Sequence, residues 1–327
     1  MDMGNGKKTR EVVLIPCYRR EALLACCLRR IREAEPGIDI HLFPDRESAS
    51  PRVWILAERF NAEVHFVPDH AYYGNTANVM NAYLWAFNAG YDLTYLIEDD
   101  VFVHPDFFFW HRQMHEECPD IFASMAWIFN RHAPIVDDVL FQPWFYSIGV
   151  CFSLHKLGLI VRHATPLYYD DMAGYVGKKF KTSPLNDPIN IMHFEQDGLI
   201  QRVLDEDKSQ TVSPGIAKCS HMGFVRSYGA SDVGSEYERI LHGKTFEEQI
   251  ANVEQLFADP YFRISMFGRE IVERELGREI PKCVKRYRIA IPGGWESEFE
   301  SELSIERFPR RINSVPVPPE AKVVIIS

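Results

Sequence analysis

The chain opens with a short β-branched run, Val12-Val13-Leu14-Ile15, too brief for a helix and closed by Pro16. From Arg19 to Glu35 the apolar positions switch to helical spacing (Leu23, Leu24, Cys27, Leu28, Ile31), and the stripe stops at Pro36-Gly37. Residues 38–43 alternate as a strand does and end in Pro44-Asp45. Ser50 followed by Pro51 predicts an N-cap and first turn, opening a second helix through Phe60. A third strand is expected from Ala62 to Val67, ended by Pro68-Asp69, then a helix from Asn75 to Asn88 and a strand from Thr94 to Ile97. This alternation predicts an α/β fold: a mostly parallel sheet with helices on both faces and ligands at the carboxyl ends of the strands.

The residues at those ends narrow the chemistry. Pro16-Cys17-Tyr18-Arg19-Arg20 follows the first strand, Asp45 the second, Asp69 the third and Glu98-Asp99-Asp100 the fourth. Neither Gly-x-Gly-x-x-Gly nor Gly-x-x-x-x-Gly-Lys occurs, which disfavours a dehydrogenase or a P-loop ATPase. A phosphate-bearing ligand would then need a metal ion to neutralise its charge. Side-chain alternation sends Glu98 and Asp100 to one side and Asp99 to the other. Oxygen ligands of this kind suit Mg²⁺ or Mn²⁺ on a diphosphate. The rival reading of the triplet is a solvated acidic turn.

The opening strand, Gly74-Asn75 with Asn78 before a helix, and the segment from Leu96 to Phe108 together resemble a GT-A glycosyltransferase over roughly residues 10–225. The acidic segment is similar to the metal-binding stretch of N-acetylglucosaminyltransferase I and its relatives; the opening strand is more like the inverting family 2. The resemblance implies a Rossmann-like, mostly parallel mixed sheet flanked by helices. It makes Asp100 a metal ligand, sets Glu98 and Asp99 beside the ribose and donor sugar, and assigns Asp45 to the base or ribose. Pro16, Tyr18, Arg19 and Asn75 would complete the nucleotide pocket, with a UDP-sugar as donor and Mn²⁺ or Mg²⁺ as cofactor. The usual Asp-Gly-Ser continuation is here Asp45-Arg46-Glu47-Ser48.

Sugar transfer needs a carboxylate to deprotonate the acceptor hydroxyl. His193 to Arg202 resembles the family's Glu-Asp-x-x-Leu-x-x-Arg arrangement, which makes Asp197 the base and Glu195 the second candidate; a helix N-terminus would hold either ionised. Helix capping is the competing role. The resemblance further gives His221, in Cys219-Ser220-His221-Met222-Gly223 past the last expected strand, as a second metal ligand. His111 and His115 lie four apart without a Glu-x-x-His context and are expected at the surface. Tyr168–Asp171 and Tyr175–Lys181 are expected as a polar, aromatic loop, either a lid over the acceptor or an ordinary exposed loop, and Trp127 and Trp144 serve equally as sugar platforms or core.

Composition sets the outer bounds. With 46% hydrophobic and 13% aromatic residues among 327, the chain can bury a large core, and disorder is excluded. A net charge of −10 (36 Lys and Arg against 46 Asp and Glu) argues against non-specific coating of nucleic acid. Seven cysteines without a Cys-x-x-Cys pair fit free thiols in a reducing cytoplasm. No run reaches the roughly 18 apolar residues of a membrane helix, and the polar first ten residues do not read as a secretory leader. The expected organisation is a catalytic unit over 1–230 and a helical, Pro- and Arg-rich extension over 231–327 packed on it, with helical stripes within 245–277. The reading is therefore a cytoplasmic nucleotide-sugar transferase, with inversion implied by the resemblance. Its acceptor is a small molecule, a glycan, or a hydroxymethylated base in DNA gripped by the basic stretches at 168–181 and 282–311. A nucleotidyltransferase or a non-catalytic sugar-nucleotide binder are the alternatives.

Overall fold

The structure, a computed structural model, describes residues 9–45, 50–66, 72, 74–127, 138–180, 195–222, 243–260, 263 and 269–281, and the backbone of strands within 285–325. Elements alternate as the pattern requires: β1 (Glu11–Cys17), α1 (Glu21–Ala34), β2 (Asp39–Pro44), α2 (Pro51–Arg59), β3 (Glu63–Val64), α3 (Asn75–Ala89) and β4 (Leu93–Leu96). Then come β5 (Val101–Val103), α4 (Phe107–Glu117), β6 (Ala123–Met125), β7 (Val139–Gln142), β8 (Val150–Ser153) and α5 (Leu154–Val161). The remainder is α6 (Pro166–Asp170), α7 (Met172–Phe180), α8 (Gln196–Asp207), β9 (Thr211–Pro214), β10 (Cys219–His221), α9 (Phe246–Ala258) and α10 (Arg269–Leu276).

Eight strands form one sheet in the order β3-β2-β1-β4-β8-β6-β9-β7. The β3-β2-β1-β4 half is parallel, β8 runs antiparallel to both β4 and β6, and β9 pairs parallel with β6 and antiparallel with β7. This is the expected mixed α/β class, with helices on both faces. Alternation along β1 sorts the core: Val13 and Ile15 join α1, α2, α9 and α10 on one face, Val12 and Leu14 join α3, α5 and α8 on the other. Each such fully buried aliphatic side chain stabilises the fold by roughly 1.5–3 kcal/mol.

The strand order reverses between β1 and β4, and Pro16 stands at that point. The Leu14 carbonyl accepts from Ile97 on the β4 side, and the Cys17 carbonyl accepts from Asp45 on the β2 side. By parity Pro16 faces β4, where its missing N–H can add no rung, and the β1–β4 register ends at Leu14–Leu96. The two strands separate there and leave a crevice at their carboxyl ends, where ligands of open sheets bind.

Several local expectations change. Pro51 does open α2, but the Ser50 side chain makes no capping bond. β3 is only two residues long; Val67, Pro68 and Asp69 lie outside the described residues, as do Glu47, His193 and Phe194. His111 is fully buried, against the surface placement: its Nδ1 lies 2.6 Å from the Ser124 hydroxyl, and its ring meets Tyr95, Phe107 and Trp110 edge-on. Phe107, Phe108, Trp110 and Met114 are buried on that face of α4, and the histidine between them is carried inward. The 168–180 segment is not a loop but α6 and α7, with Tyr168 and Val176 in the core. Its lysines had hidden a helical stripe. Ile250, Val253 and Leu256 of α9 pack with α1 in the same core as β1. The tail adds an antiparallel sheet of Trp295–Ser301, Lys285–Ile291 and Lys322–Ile325. The six described cysteines are free thiols. Among the described residues no helix is long and apolar enough to cross a membrane.

Candidate active site

The acidic triplet occupies the turn between β4 and β5, closed by the Val101 amide donating to the Glu98 carbonyl at 2.9 Å. Asp99 and Asp100 are buried, whereas Glu98 is half-buried. Asp99 turns toward the end of β1, where its Oδ2 accepts from the Tyr18 amide at 3.0 Å and its Oδ1 pairs with Arg20. The other Arg20 nitrogen pairs with Asp100 Oδ2. Glu98, Asp100 and His221 face one another, their donor atoms all within 4.8 Å, and His221 Nε2 lies 3.4 Å from Asp100 Oδ2. Asp100 Oδ1 is buried and has no hydrogen-bond partner.

His221 reaches the acids because it ends a strand, not a loop past the last one. β10 pairs antiparallel with β5, setting His221 opposite Val101 and Ser220 opposite Phe102. Cys219-Ser220-His221 is too short and too polar to announce a strand from its pattern. The pairing is backed from α10: Glu275 Oε1 accepts from the His221 amide at 3.2 Å and from Trp127 Nε1 at 2.8 Å. Glu275 also pairs with buried Arg263, whose Nη2 donates to the Ser220 hydroxyl at 3.0 Å.

The charges in this pocket are strongly biased. Burial, reinforced by Asp100, pushes the Glu98 carboxyl above its ordinary range. Burial acts on Asp100 the same way, but Arg20 and His221 outweigh it and hold that carboxyl well below the usual value. His221 is pulled the opposite way from its burial by Asp100 and is raised. Two oxygen donors and an imidazole, with one carboxylate oxygen unpartnered, form a set that fits Mn²⁺ or a similar cation better than Mg²⁺.

Across the crevice, α8 begins at Glu195, which occupies the N-cap but makes no side-chain capping bond. Asp197 lies in the first turn; its Oδ2 accepts from the Ser147 hydroxyl at 3.2 Å, and its Oδ1 is buried without a partner. Burial pushes its carboxyl up to about 6, opposed by the Ser147 bond. The Asp197 charge acts on Glu98, and both act on the buried Tyr83 hydroxyl between the two sides. Thr76, in the first turn of α3, donates to Gln196 Oε1 at 2.7 Å and ties the starts of α3 and α8 together.

The remaining candidates are spread around this centre. Asp45 is buried directly after β2, its amide bonded to the Cys17 carbonyl at 3.0 Å, next to half-exposed Tyr18. Arg19 is exposed, with φ 51°, and lies over the Tyr18 ring at 5.3 Å. Asn75 is exposed at the start of α3, and Pro16 is buried within β1. Trp127 is a buried residue behind His221, while Trp144 is 56% exposed. Sequence reasoning passed over Arg20, Ser147, Glu275 and Arg263. Adjacent buried acids call for a cation in the fold, which is the one signal that could have singled out Arg20.

No protein-family model matches the sequence, and no curated protein does. Solved structures similar to it include a mannosyltransferase of Pyrobaculum calidifontis in complex with GDP-Man and Mn²⁺, 11% identical over 79% of this chain and 72% of that one, with a TM-score of 0.43. Glucosyl-3-phosphoglycerate synthase of Mycobacterium tuberculosis, in complex with Mn²⁺, UDP and glucosyl-3-phosphoglycerate, is 13% identical over 91% and 89%, TM-score 0.40. A cytidylyltransferase of Leptospira borgpetersenii is 10% identical over 78% and 96%, TM-score 0.38. Likeness at this level decides nothing between donors, acceptors or reaction classes.

Proposed function

We propose that the protein is a metal-dependent glycosyltransferase that moves a sugar from a nucleotide diphosphate sugar, a UDP-sugar first among them, to an acceptor hydroxyl. The observation that carries this is the meeting, in one crevice, of the Glu98–Asp100–His221 donor set with Asp197, each side presenting a buried carboxylate oxygen without a partner. Glu98, Asp100 and His221 would hold the cation, which supplies positive charge where the diphosphate departs. Arg20 adds a fixed guanidinium at the same end of β1, suited to diphosphate oxygens. Asp45, Tyr18, Arg19, Pro16 and Asn75 border the space where the nucleoside would lie.

Asp197 Oδ1 takes the proton of the acceptor hydroxyl. The acceptor oxygen bonds to the anomeric carbon, and the bond from that carbon to the diphosphate oxygen breaks with its electron pair leaving on the diphosphate. Attack by the deprotonated acceptor from behind the leaving group would give inversion at the anomeric carbon. Glu195, at the N-cap one residue before the helix, is the second candidate for the base.

A panel of nucleotide sugars with Mn²⁺ or with chelator, followed by nucleotide diphosphate release, tests the reading. One donor turned over only with metal, and not by Asp100→Asn, is the expected result. Pyrophosphate release from a nucleoside triphosphate plus sugar phosphate would replace it with a nucleotidyltransferase. Adding small polyols, glycans and hydroxymethylated duplex DNA to the productive donor then identifies the acceptor, and product stereochemistry reports on inversion.

A further inference from the structure

A second set of convergent donors lies outside the crevice, on the α3 face of the sheet edge. His41 points from β2, Glu63 starts β3, and His65 follows it; β3 is the outermost strand, and the parallel register sets His41 beside Glu63. His41 Nδ1 lies 2.8 Å from His65 Nε2. One Glu63 oxygen is 3.7 Å from His41 Nδ1 and the other 3.8 Å from His65 Nε2. The two carboxylate oxygens thus address one imidazole each, and all three groups aim at a common point.

We infer that His41, Glu63 and His65 form a binding site for a Zn²⁺-class divalent cation that clamps the edge strand β3 onto β2. Zinc bonds of about 2.0–2.1 Å in tetrahedral geometry put ligand atoms about 3.3 Å apart, and the three observed separations bracket that spacing. Two imidazoles and one carboxylate, with a fourth position left to water, are a zinc set, whereas Mg²⁺ and Ca²⁺ favour all-oxygen shells. The rings are held in place: His65 stacks on Phe43 at 4.8 Å, and both rings pack on Trp85, His41 at 4.2 Å and His65 at 4.6 Å. The Glu63 side chain is 67% exposed, so the set opens to solvent at the sheet edge.

Binding needs one proton rearrangement. The hydrogen shared between His41 Nδ1 and His65 Nε2 must move to the outer nitrogen of its own ring, exposing both lone pairs without net proton release. A clamp here has a mechanical purpose, because β3 contributes only two residues to the sheet. The inference does not depend on the proposed transferase activity, since none of the three residues belongs to the crevice.

The test uses the full chain carrying Asp100→Asn, which weakens the crevice site, stripped of metal and titrated with Zn²⁺ by calorimetry. One equivalent is expected to bind and to raise Tm. Co²⁺ in its place is expected to give the intense visible absorption of a four-coordinate ion. Adding Glu63→Gln, a substitution at a largely exposed side chain, or His65→Gln should weaken binding by about tenfold or more, since even outer ligands matter that much. Zinc binding left unchanged by both substitutions, or no binding by a folded Asp100→Asn protein, would leave a hydrogen-bonded histidine pair only and overturn the site.

Discussion

Asp197 carries an acid whose fold works against its charge. A carboxyl raised to about 6 favours the protonated form, so its contribution to stability is full below the ordinary carboxylate pKa and is lost as pH rises through about 6. Activity runs the other way, because the base must be ionised. The rate is therefore expected to fall on the acid side with an apparent pKa near 6, and Asp197→Asn to lose about 10²–10⁴-fold in kcat. The same variant should be more stable than the parent at pH 8, by about 2–3 kcal/mol, with the gain shrinking as pH falls through 6 and vanishing only below the ordinary carboxylate pKa of about 4. Paired pH–rate and pH–Tm profiles check both halves; a variant that loses activity with no gain at pH 8 would remove the electrostatic account. The helix start that carries Asp197 could be placed from the sequence because the segment matched by resemblance is local to the chain. Arg20 could not, since its partners are 79 and 80 residues away and only the fold brings them into contact. Tyr18 and Arg19 drew attention as strand-end residues, yet the next position is the one that pairs with the acids.

At the level of elements, the strongest constraint is the β4–β5 turn and the strands that box it in. Gly149, just before β8, has φ +61°, and a Cβ there would lie 2.9 Å from Cys219 Sγ, 3.2 Å from Ala126 Cβ and 3.2 Å from Phe107. Cys219 opens β10, so the crowding would push directly on the strand that delivers His221. Gly149→Ala is expected to destabilise by about 2–4 kcal/mol, from left-handed strain plus overpacking, and to weaken Mn²⁺ binding as well. Denaturant melts and a metal titration would separate the effects; unchanged metal affinity in the destabilised variant would mean β10 holds its register without that close approach. The first four strands and three helices were predictable because their periodicities are local and uninterrupted. β5 and β10 were not, as three-residue strands depend on each other for their hydrogen bonds. The α6–α7 pair was obscured because Gly174, Gly177 and the lysines dilute its apolar stripe.

Across the whole molecule, the candidate metal donors come from positions 98, 100 and 221 and are braced from 263 and 275. Glu275→Ala would strip a buried arginine of its partner, at a cost of about 3–5 kcal/mol, and would take the acceptor from the His221 amide. A lower Tm and weaker Mn²⁺ binding are expected together, with Glu275→Gln recovering part of the affinity because an amide oxygen still accepts from Trp127 and His221. Full metal affinity in a folded Glu275→Ala protein would show that α10 is scaffolding unrelated to the site. Composition and alternation revealed the sheet and its class and an extension packed on it, but not which residues of α9 join the core of β1 against α1. The brace has a consequence during synthesis. A nascent chain can display its acids, its crevice and Asp197 while α10 is still inside the ribosome, yet His221 then lacks its support. A copy released before α10 emerges would carry the two acids and Asp197 with a slack histidine beside them, and would hold a cation less firmly.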